Sequence, residues 1–100
     1  IAGQVGVPGY SDGTAAQAKF WLPVDVKIDG QDNLYVADRN NALVRKISAS
    51  GVVSTVVGTV GRYGFVPGAL PSVIPPPEGI AVKDAVLFIT TRNGVLRADL

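Results

Sequence analysis

The chain has 100 residues, of which 47% are hydrophobic and 17% are charged, and its formal net charge is +1. This composition is typical of one small packed domain, and it offers no strong electrostatic attraction for nucleic acid or an anionic membrane. The absence of cysteine excludes disulfides and thiolate chemistry, and the absence of histidine removes the commonest general base and zinc ligand.

No apolar run approaches the roughly 18 residues that a membrane-spanning helix requires, so we expect no membrane partner. The chain begins with Ile1 rather than methionine, and its first residues lack the charged start of a signal peptide. Such a start is expected of a processed chain or an excised fragment, and the residues themselves do not indicate a compartment.

Residues 1–19 are rich in glycine and small polar residues, which favours a loop with at most a short helical turn over 14–19. The pattern changes at Pro23, after which apolar and polar residues alternate as in a half-buried strand. Turns that carry Asp, Asn or Gly then separate four predicted strands. These strands span 24–28, 34–37, 43–47 and 52–57.

Residues 59–76 are again rich in glycine and proline and are predicted to form a loop. Three further strands are predicted over 79–82, 86–90 and 95–98. The strand at 34–37 is apolar on both faces, and the strand at 52–57 is β-branched and uncharged. We therefore expect neighbouring parts of the protein to cover both sheet faces and the free edge.

The second half of the chain repeats the first. The matched positions are a proline, an apolar strand centre and two arginines: Pro23 and Pro77, Leu34–Val36 and Leu87–Ile89, Arg39 and Arg92, Arg45 and Arg97. A repeat of this length with four short strands per unit is typical of β-propeller blades, which are buried between two neighbouring blades.

The pattern FW.P.DV.ID....LYVAD..N..VRKI...G.VST.VG, read from Phe20 to Gly58, resembles an NHL repeat. Residues 1–20 are similar to the segment that often precedes such repeats. The second copy is degenerate, because Thr91 stands at the position of Asp38 and the turn after Asn93 is shorter. The resemblance implies an all-β fold of two NHL-like propeller blades, each built from four antiparallel strands.

The resemblance also implies how the chain is organised. Residues 1–19 are expected to hold the end of a preceding strand and an inter-blade loop, and 20–58 a complete blade. Residues 59–76 are expected to form a second inter-blade loop, and 77–100 the first three strands of a second blade. An extracellular or periplasmic location is slightly favoured by the resemblance alone.

Two blades cannot close a ring, although propellers of this family are closed and usually have six blades. The expected partners are therefore further blades of a longer propeller or copies of the same chain. Three copies would give six blades, with Ile1–Val5 of one copy beside Val95–Ala98 of the next. This arrangement would cover the apolar faces and the free strand edge.

Four side chains are candidates for a ligand-binding rim, since the turns and connections that carry them open on one end of a propeller. They are Arg39, Arg62, Arg92 and Tyr63. Positive charge combined with aromatic stacking would suit an anionic or aromatic partner. The alternative is that these are solvated turn arginines and that Tyr63 packs between the blades.

Two acidic turns are interpreted as structural. Asp38 and Asn40 are expected to bond the backbone of their own turn, as Asx residues do, rather than to act as an acid or a metal ligand. Asp29, Asp32 and Asn33 could suggest calcium, but the spacing lacks the loop length and final Glu of an EF-hand. A plain hairpin turn is the preferred interpretation.

Two further pairs of residues are assigned to the framework. Arg45 and Arg97, which recur in the third strand of each unit, are expected to bond carbonyls or a carboxylate of the same or the next blade. Phe20 and Trp21 are expected to fill the gap between blades.

These observations favour a non-enzymatic propeller scaffold or binding module, without catalytic residues, metal or cofactor. Its partner would be a protein or an anionic ligand, with nucleic acid as a weaker alternative. Two other hypotheses stay open. The chain could be a fragment of a propeller lyase or hydrolase whose catalytic residues lie elsewhere, or a minimal propeller fragment without an evolved ligand.

Overall fold

The alternating and β-branched segments form eight strands in a computed structural model, which describes all residues, 1–100. The strands are β1 (Gly13–Thr14), β2 (Pro23–Ile28), β3 (Leu34–Asp38), β4 (Leu43–Ile47), β5 (Val52–Val57), β6 (Gly79–Lys83), β7 (Val86–Thr90) and β8 (Val95–Asp99). A single turn of 3₁₀ helix, Arg39–Asn41, separates β3 from β4. The predicted all-β class is confirmed.

The strands form two antiparallel sheets. The first has the order β1-β5-β4-β3-β2, and the second has the order β6-β7-β8. We call β2–β5 the first blade and β6–β8 the second blade. Because consecutive strands pair through short turns, each sheet is an up-and-down meander of the kind found in propeller blades.

The predicted strand bounds agree with the structure to within one residue, but β1 was not predicted. Gly13 and Thr14 pair with Val53 and Val52, so this short strand adds a fifth member to the first sheet beyond β5. The helical turn expected over 14–19 is a single turn, in which the Thr14 carbonyl accepts hydrogen bonds from the amides of Gln17 and Ala18.

Residues 1–5, predicted to end a preceding strand, lie outside the strands of the structure. The glycines in this segment provide the physical reason, since Gly3 has φ of 89° and its amide donates to the Ala15 carbonyl. A positive φ turns the chain out of the extended conformation that a strand requires.

The two blades pack face to face over one apolar core. The largest buried cluster combines Tyr35, Ala37 and Val44 of the first blade with Ile80, Leu87 and Ile89 of the second. A polar bond joins the same surfaces, because one carboxylate oxygen of Asp25 accepts the Ile80 amide at 2.9 Å. Gly79 leaves room for this approach: a Cβ there would lie 3.6 Å from the Asp25 oxygen and 2.9 Å from Thr90 Oγ1.

The opposite face of the first blade packs partly against the N-terminal segment. Ala18 and Phe20 cover Val36, Ile47 and Val53 there. The inner strand β2 is left uncovered on this side, since Val24, Val26 and Ile28 are all exposed.

Strand register corrects the match between Arg45 and Arg97. Arg97 lies opposite Phe88, whereas the residue opposite the equivalent Tyr35 is Lys46. The connection after Asn93 is two residues shorter than in the first blade, so β8 is displaced by one residue relative to the letter match. A displacement of one residue moves a side chain to the other sheet face. Arg97 is therefore exposed and pairs only with Asp99, at 2.9 Å.

The structure has no helix of the length and apolarity needed to cross a membrane.

Candidate functional site

The turn between β3 and β4 is held in place by the chain that enters β2. The amides of Arg39 and Asn40 donate to the carbonyls of Leu22 and Trp21, at 3.2 and 3.0 Å. Leu22 has φ of 60°, a conformation that an L side chain adopts at a cost and that these bonds stabilise. The residue after the turn, Ala42, is also left-handed, with φ of 55°.

Asp38 bonds two side chains and the backbone of another segment rather than the backbone of its own turn, which corrects the expected Asx geometry. One carboxylate oxygen accepts the Trp21 amide at 2.8 Å, and the other accepts Asn41 Nδ2 and Arg45 Nη1, both at 2.9 Å. The side chain of Asp38 is completely buried, because it points into the sheet face that the N-terminal segment covers. The backbone of Asn40 bonds Trp21 and Tyr63, and its side chain accepts only from Arg39 Nη1, at 3.5 Å.

Arg45 is the centre of this buried network, and its predicted structural role is confirmed. Besides Asp38, its guanidinium donates to a carboxylate oxygen of Asp12 at 2.8 Å and to the carbonyls of Ser11 and Lys19, both at 2.8 Å. The rings of Tyr10 and Phe20 lie on it, with centroids 4.8 and 4.7 Å from Cζ. These bonds and rings fix the N-terminal segment to the first blade.

Two members of the network were missed from sequence. Asp12 lies in the predicted loop over 1–19 and was not singled out there, and neither was Asn41, whose amide nitrogen bonds both Asp38 and the Gly9 carbonyl. The bonds from Arg45 to Asp12 and from Asn41 to Gly9 join residues that lie far apart along the chain, so no local pattern indicates them. Every buried polar side-chain atom is hydrogen-bonded, so the network stabilises the fold.

The rim residues predicted from sequence are partly brought together. The Tyr63 hydroxyl donates to the Asn40 carbonyl at 3.4 Å, so the connection between the blades reaches the turn that carries Arg39. Arg39 Nε lies 3.9 Å from a carboxylate oxygen of Glu78, in a pair exposed on both sides. An exposed pair of this kind contributes little stability and leaves the guanidinium open to other partners.

Arg62 and Arg92 are exposed, and their side chains make no hydrogen bond or ion pair in the structure. Arg92 follows β7 as Arg39 follows β3, so the two turns lie at equivalent ends of their blades. The structure thus joins Arg39 and Tyr63 through Asn40, and it leaves Arg62 and Arg92 without a contact that joins them to this pair.

Trp21 is a further candidate at this end of the first blade. Phe20 is half-buried as expected, but Trp21 does not fill a gap between the blades, because 45% of its surface is exposed. The neighbouring Leu22 is also exposed. The backbone of Trp21 bonds the turn that carries Arg39, since its carbonyl accepts the Asn40 amide. The sequence pattern does not indicate that the tryptophan is exposed.

The Asp29 turn closes the other end of the first hairpin, as predicted. The Asp29 carboxylate accepts the amides of Gln31 and Asn33 and the side chains of Asn33 and Tyr35. Desolvation is the largest effect on the pKa of Asp29 and raises it, but these hydrogen bonds together outweigh it and lower the pKa. Burial, with the Asp29 charge next, raises the pKa of Tyr35. No metal-binding group of acidic side chains is present.

A family model matches part of the first blade, and solved structures match most of the chain. Residues 20–47 match the family model of the NHL repeat. No curated protein matches the chain.

Solved structures from Bacteroides resemble the whole arrangement. A structural genomics protein of unknown function from Bacteroides thetaiotaomicron has a TM-score of 0.81 and 26% identity over 88% of this chain and 23% of that chain. An auxiliary nutrient binding protein from Bacteroides ovatus has a TM-score of 0.76 and 27% identity over 89% and 25%.

A putative phosphatase from Bacteroides thetaiotaomicron has a TM-score of 0.77 and 22% identity over 88% of this chain and 23% of that chain, a likeness of fold alone. The chain spans about a quarter of the length of these structures. The chain therefore carries an NHL repeat and has the fold of NHL-like β-propeller blades.

Proposed function

We propose that the chain is part of a non-enzymatic propeller module that binds an anionic or aromatic ligand at the end of the blades formed by Arg39–Asn41 and the 59–76 connection. The observation that carries the proposal is a contrast between two kinds of arginine. Arg45 is fully buried with its donors bonded, whereas Arg62 and Arg92 are exposed and the side chain of Arg39 is 40% exposed. Solvent-facing guanidinium groups beside exposed aromatic rings suit charge pairing and stacking.

One solved neighbour supports a binding role. One solved structure at 27% identity is described as an auxiliary nutrient binding protein. The carboxylates of Asp38 and Asp29 accept hydrogen bonds that stabilise the fold. The alternative of a propeller enzyme fragment rests on catalytic residues outside this chain, and a hydrolase screen that detected turnover by the chain itself would contradict the proposal.

Heparin chromatography tests the rim directly, with heparin as the polyanionic probe. We expect wild type to be retained at low salt and the double variant Arg39→Ala/Arg92→Ala to elute at clearly lower salt, because two rim charges are lost. The control Lys83→Ala/Arg97→Ala removes the same net charge away from the rim. Equal elution of the two double variants would show that net charge alone determines retention. Absence of retention would favour a chain without an evolved anionic ligand.

The blades are further proposed to belong to a closed ring, built either from further blades or from copies of this chain. The support is the uncovered apolar surface on both outer faces of the blade pair, which includes Val26 on one side and Phe88 on the other. Three copies would supply six blades. Light scattering on the chain tests this version, and a well-folded monomer would contradict it.

A further inference from the structure

An apolar groove of about 650 Å³ lies on the face of the first blade that points away from the second. It is lined mainly by Phe20, Val24, Val26, Leu34, Val36 and Ile47. The groove occupies the side of the sheet that the N-terminal segment leaves open. The second blade has an equivalent face. The surface that packs on that face indicates the kind of surface that fits the groove.

The equivalent face of the second blade is buried. Val26 pairs with Val36 in the first blade, and Ile80 pairs with Ile89 at the same register in the second. Val26 is 51% exposed, whereas Ile80 is only 6% exposed, because the first blade packs on it. The groove is thus the kind of surface that this fold covers with the face of another blade.

The face of the first blade that packs on the second blade also has an equivalent in the second blade, and that equivalent is exposed. Tyr35 of the first blade is 4% exposed because it packs into the inter-blade core. Its counterpart in the second blade is Phe88, which lies opposite Arg97 as Tyr35 lies opposite Lys46. Phe88 is 42% exposed. The molecule therefore presents both halves of its own internal interface on opposite outer faces.

We infer that the groove of one copy binds the Phe88 face of a second copy, head to tail, and so repeats the internal interface between the blades. This interface is heterologous, because each copy contributes a different surface to each contact. The inference rests on the ring proposed above and specifies which surface of each copy meets which surface of the next. The test below therefore distinguishes a wrong contact surface from the absence of self-association.

The backbone polar groups are compatible with this contact. Across the internal interface, the Asp25 carboxylate of the first blade accepts a hydrogen bond from the Ile80 amide. The amide equivalent to Ile80 is that of Val26, and Asp25 already caps it within the same blade through its other oxygen, at 2.9 Å. The incoming copy carries Gly79 at the position of Asp25, so no carboxylate equivalent to Asp25 enters the groove. The Phe88 face also carries Arg97 and Asp99, which form an ion pair with each other at 2.9 Å.

Two complementary variants of the 100-residue chain test the polarity. Val26→Asp places a charge in the groove and leaves the Phe88 face intact, and Phe88→Asp does the reverse. We expect wild type to associate in light scattering, and each variant alone to associate at least about tenfold more weakly. An equimolar mixture should form a complex of twice the chain mass of 10.3 kDa, because one intact groove meets one intact Phe88 face. Gln31→Asp, in an exposed turn, is the control for added charge.

Each outcome is decisive. If wild type associates but the mixture of variants stays monomeric, the inferred contact is wrong and the ring itself stands. If wild type stays monomeric up to about 1 mM, self-association of copies and the inferred contact both fail, whereas binding at the rim is untouched. Circular dichroism establishes that the variants are folded, and the milder pair Val26→Ala and Phe88→Ala replaces either charged variant that is not.

Discussion

Arg45 connects three segments that are distant in sequence: the loop around Asp12, the entry to β2 and the end of β3. Replacement by Met keeps part of the packing volume but leaves the carboxylate of Asp38 buried without its cation. We expect Arg45→Met to lower the free energy of unfolding by about 3–5 kcal/mol, since an unpaired buried charge is costly. Urea unfolding followed by circular dichroism measures the change.

Two controls separate this effect from a general loss of charge. Arg97→Met removes an exposed arginine and should change stability by no more than about 0.5 kcal/mol. The double variant Arg45→Met/Asp38→Asn should recover part of the lost stability, because Asn can still accept the Trp21 amide without a buried charge. A double variant as unstable as the sum of its parts would contradict the proposed role of the ion pair.

Asp25 connects the two blades and makes their stability depend on pH. The hydrogen bond from Lys27 is the largest effect on its carboxyl, and together with the amides of Ile80 and Val26 it outweighs desolvation and lowers the pKa of Asp25 from 3.8. A carboxyl whose pKa is lower in the folded state contributes stability that is present above about 3.8 and is lost as the pH falls through the folded value.

Asp25→Asn should therefore reduce the loss of stability between pH 7 and pH 3, as measured by the urea midpoint at each pH. The matched control is Asp32→Asn, since the Asp32 carboxylate accepts no hydrogen bond in the structure and its backbone, with φ of 66°, suits asparagine. If both variants lose stability on acidification as wild type does, Asp25 is not a source of the pH dependence.

At the scale of elements, the junction between β5 and the following connection depends on Gly58. Its φ is 91°, and its amide donates to the Pro71 carbonyl at 2.6 Å. A Cβ at this position would lie 2.5 Å from the Ala42 carbonyl oxygen, too close for the outer strands to keep their spacing. Gly58→Ala is expected to destabilise the fold by about 2–4 kcal/mol, from backbone strain and overpacking together.

Gly61→Ala provides the comparison, because Gly61 has a similar φ of 77° but open space around its Cβ position. It should cost only the backbone strain, about 1 kcal/mol. Thermal unfolding of the two variants compares them, and an equal loss in both would show that the close contact with Ala42 relaxes freely.

The strands were predictable because each carries its own local pattern. Alternation marked β2, β-branched residues marked β5, and the Asp29 turn was recognisable from side chains that bond their own backbone. Register was not predictable to the same degree. The connection after Asn93 is two residues shorter than in the first blade, where the letter match allows for one, so Arg97 lies on the opposite face from Arg45. A match of letters cannot reveal such a change of face.

The candidate site was predictable only in part, for a related reason. Turn positions identified Arg39 and Tyr63, since a turn keeps its place in the repeat. The exposure of Trp21 and the burial of Asp38 both follow from contacts between β2 and the turn after β3. Such contacts depend on tertiary packing, which residue type alone does not specify.

At the scale of the whole molecule, the two blades share one core and should unfold together. The near face of the second blade, including Leu87, is buried only because the first blade packs on it. A three-stranded sheet without this cover would expose a continuous apolar surface, so its independent stability is expected to be low. Cooperative unfolding of both blades is the consequence.

Leu87→Ala tests this coupling, since the substitution lies in the second blade and Trp21, the chain's single tryptophan, reports on the first. The cavity should cost about 2–5 kcal/mol, and tryptophan fluorescence and circular dichroism should shift by the same amount of urea. Val95→Ala lies at a 69% exposed position of the same sheet. It should change the free energy of unfolding measured by either signal by no more than about 0.5 kcal/mol. If Leu87→Ala left the fluorescence transition in place while circular dichroism lost amplitude at lower urea, the second blade would be unfolding alone. The shared core would then not couple the two sheets, because the first blade would keep its structure after losing the surface that covers Tyr35.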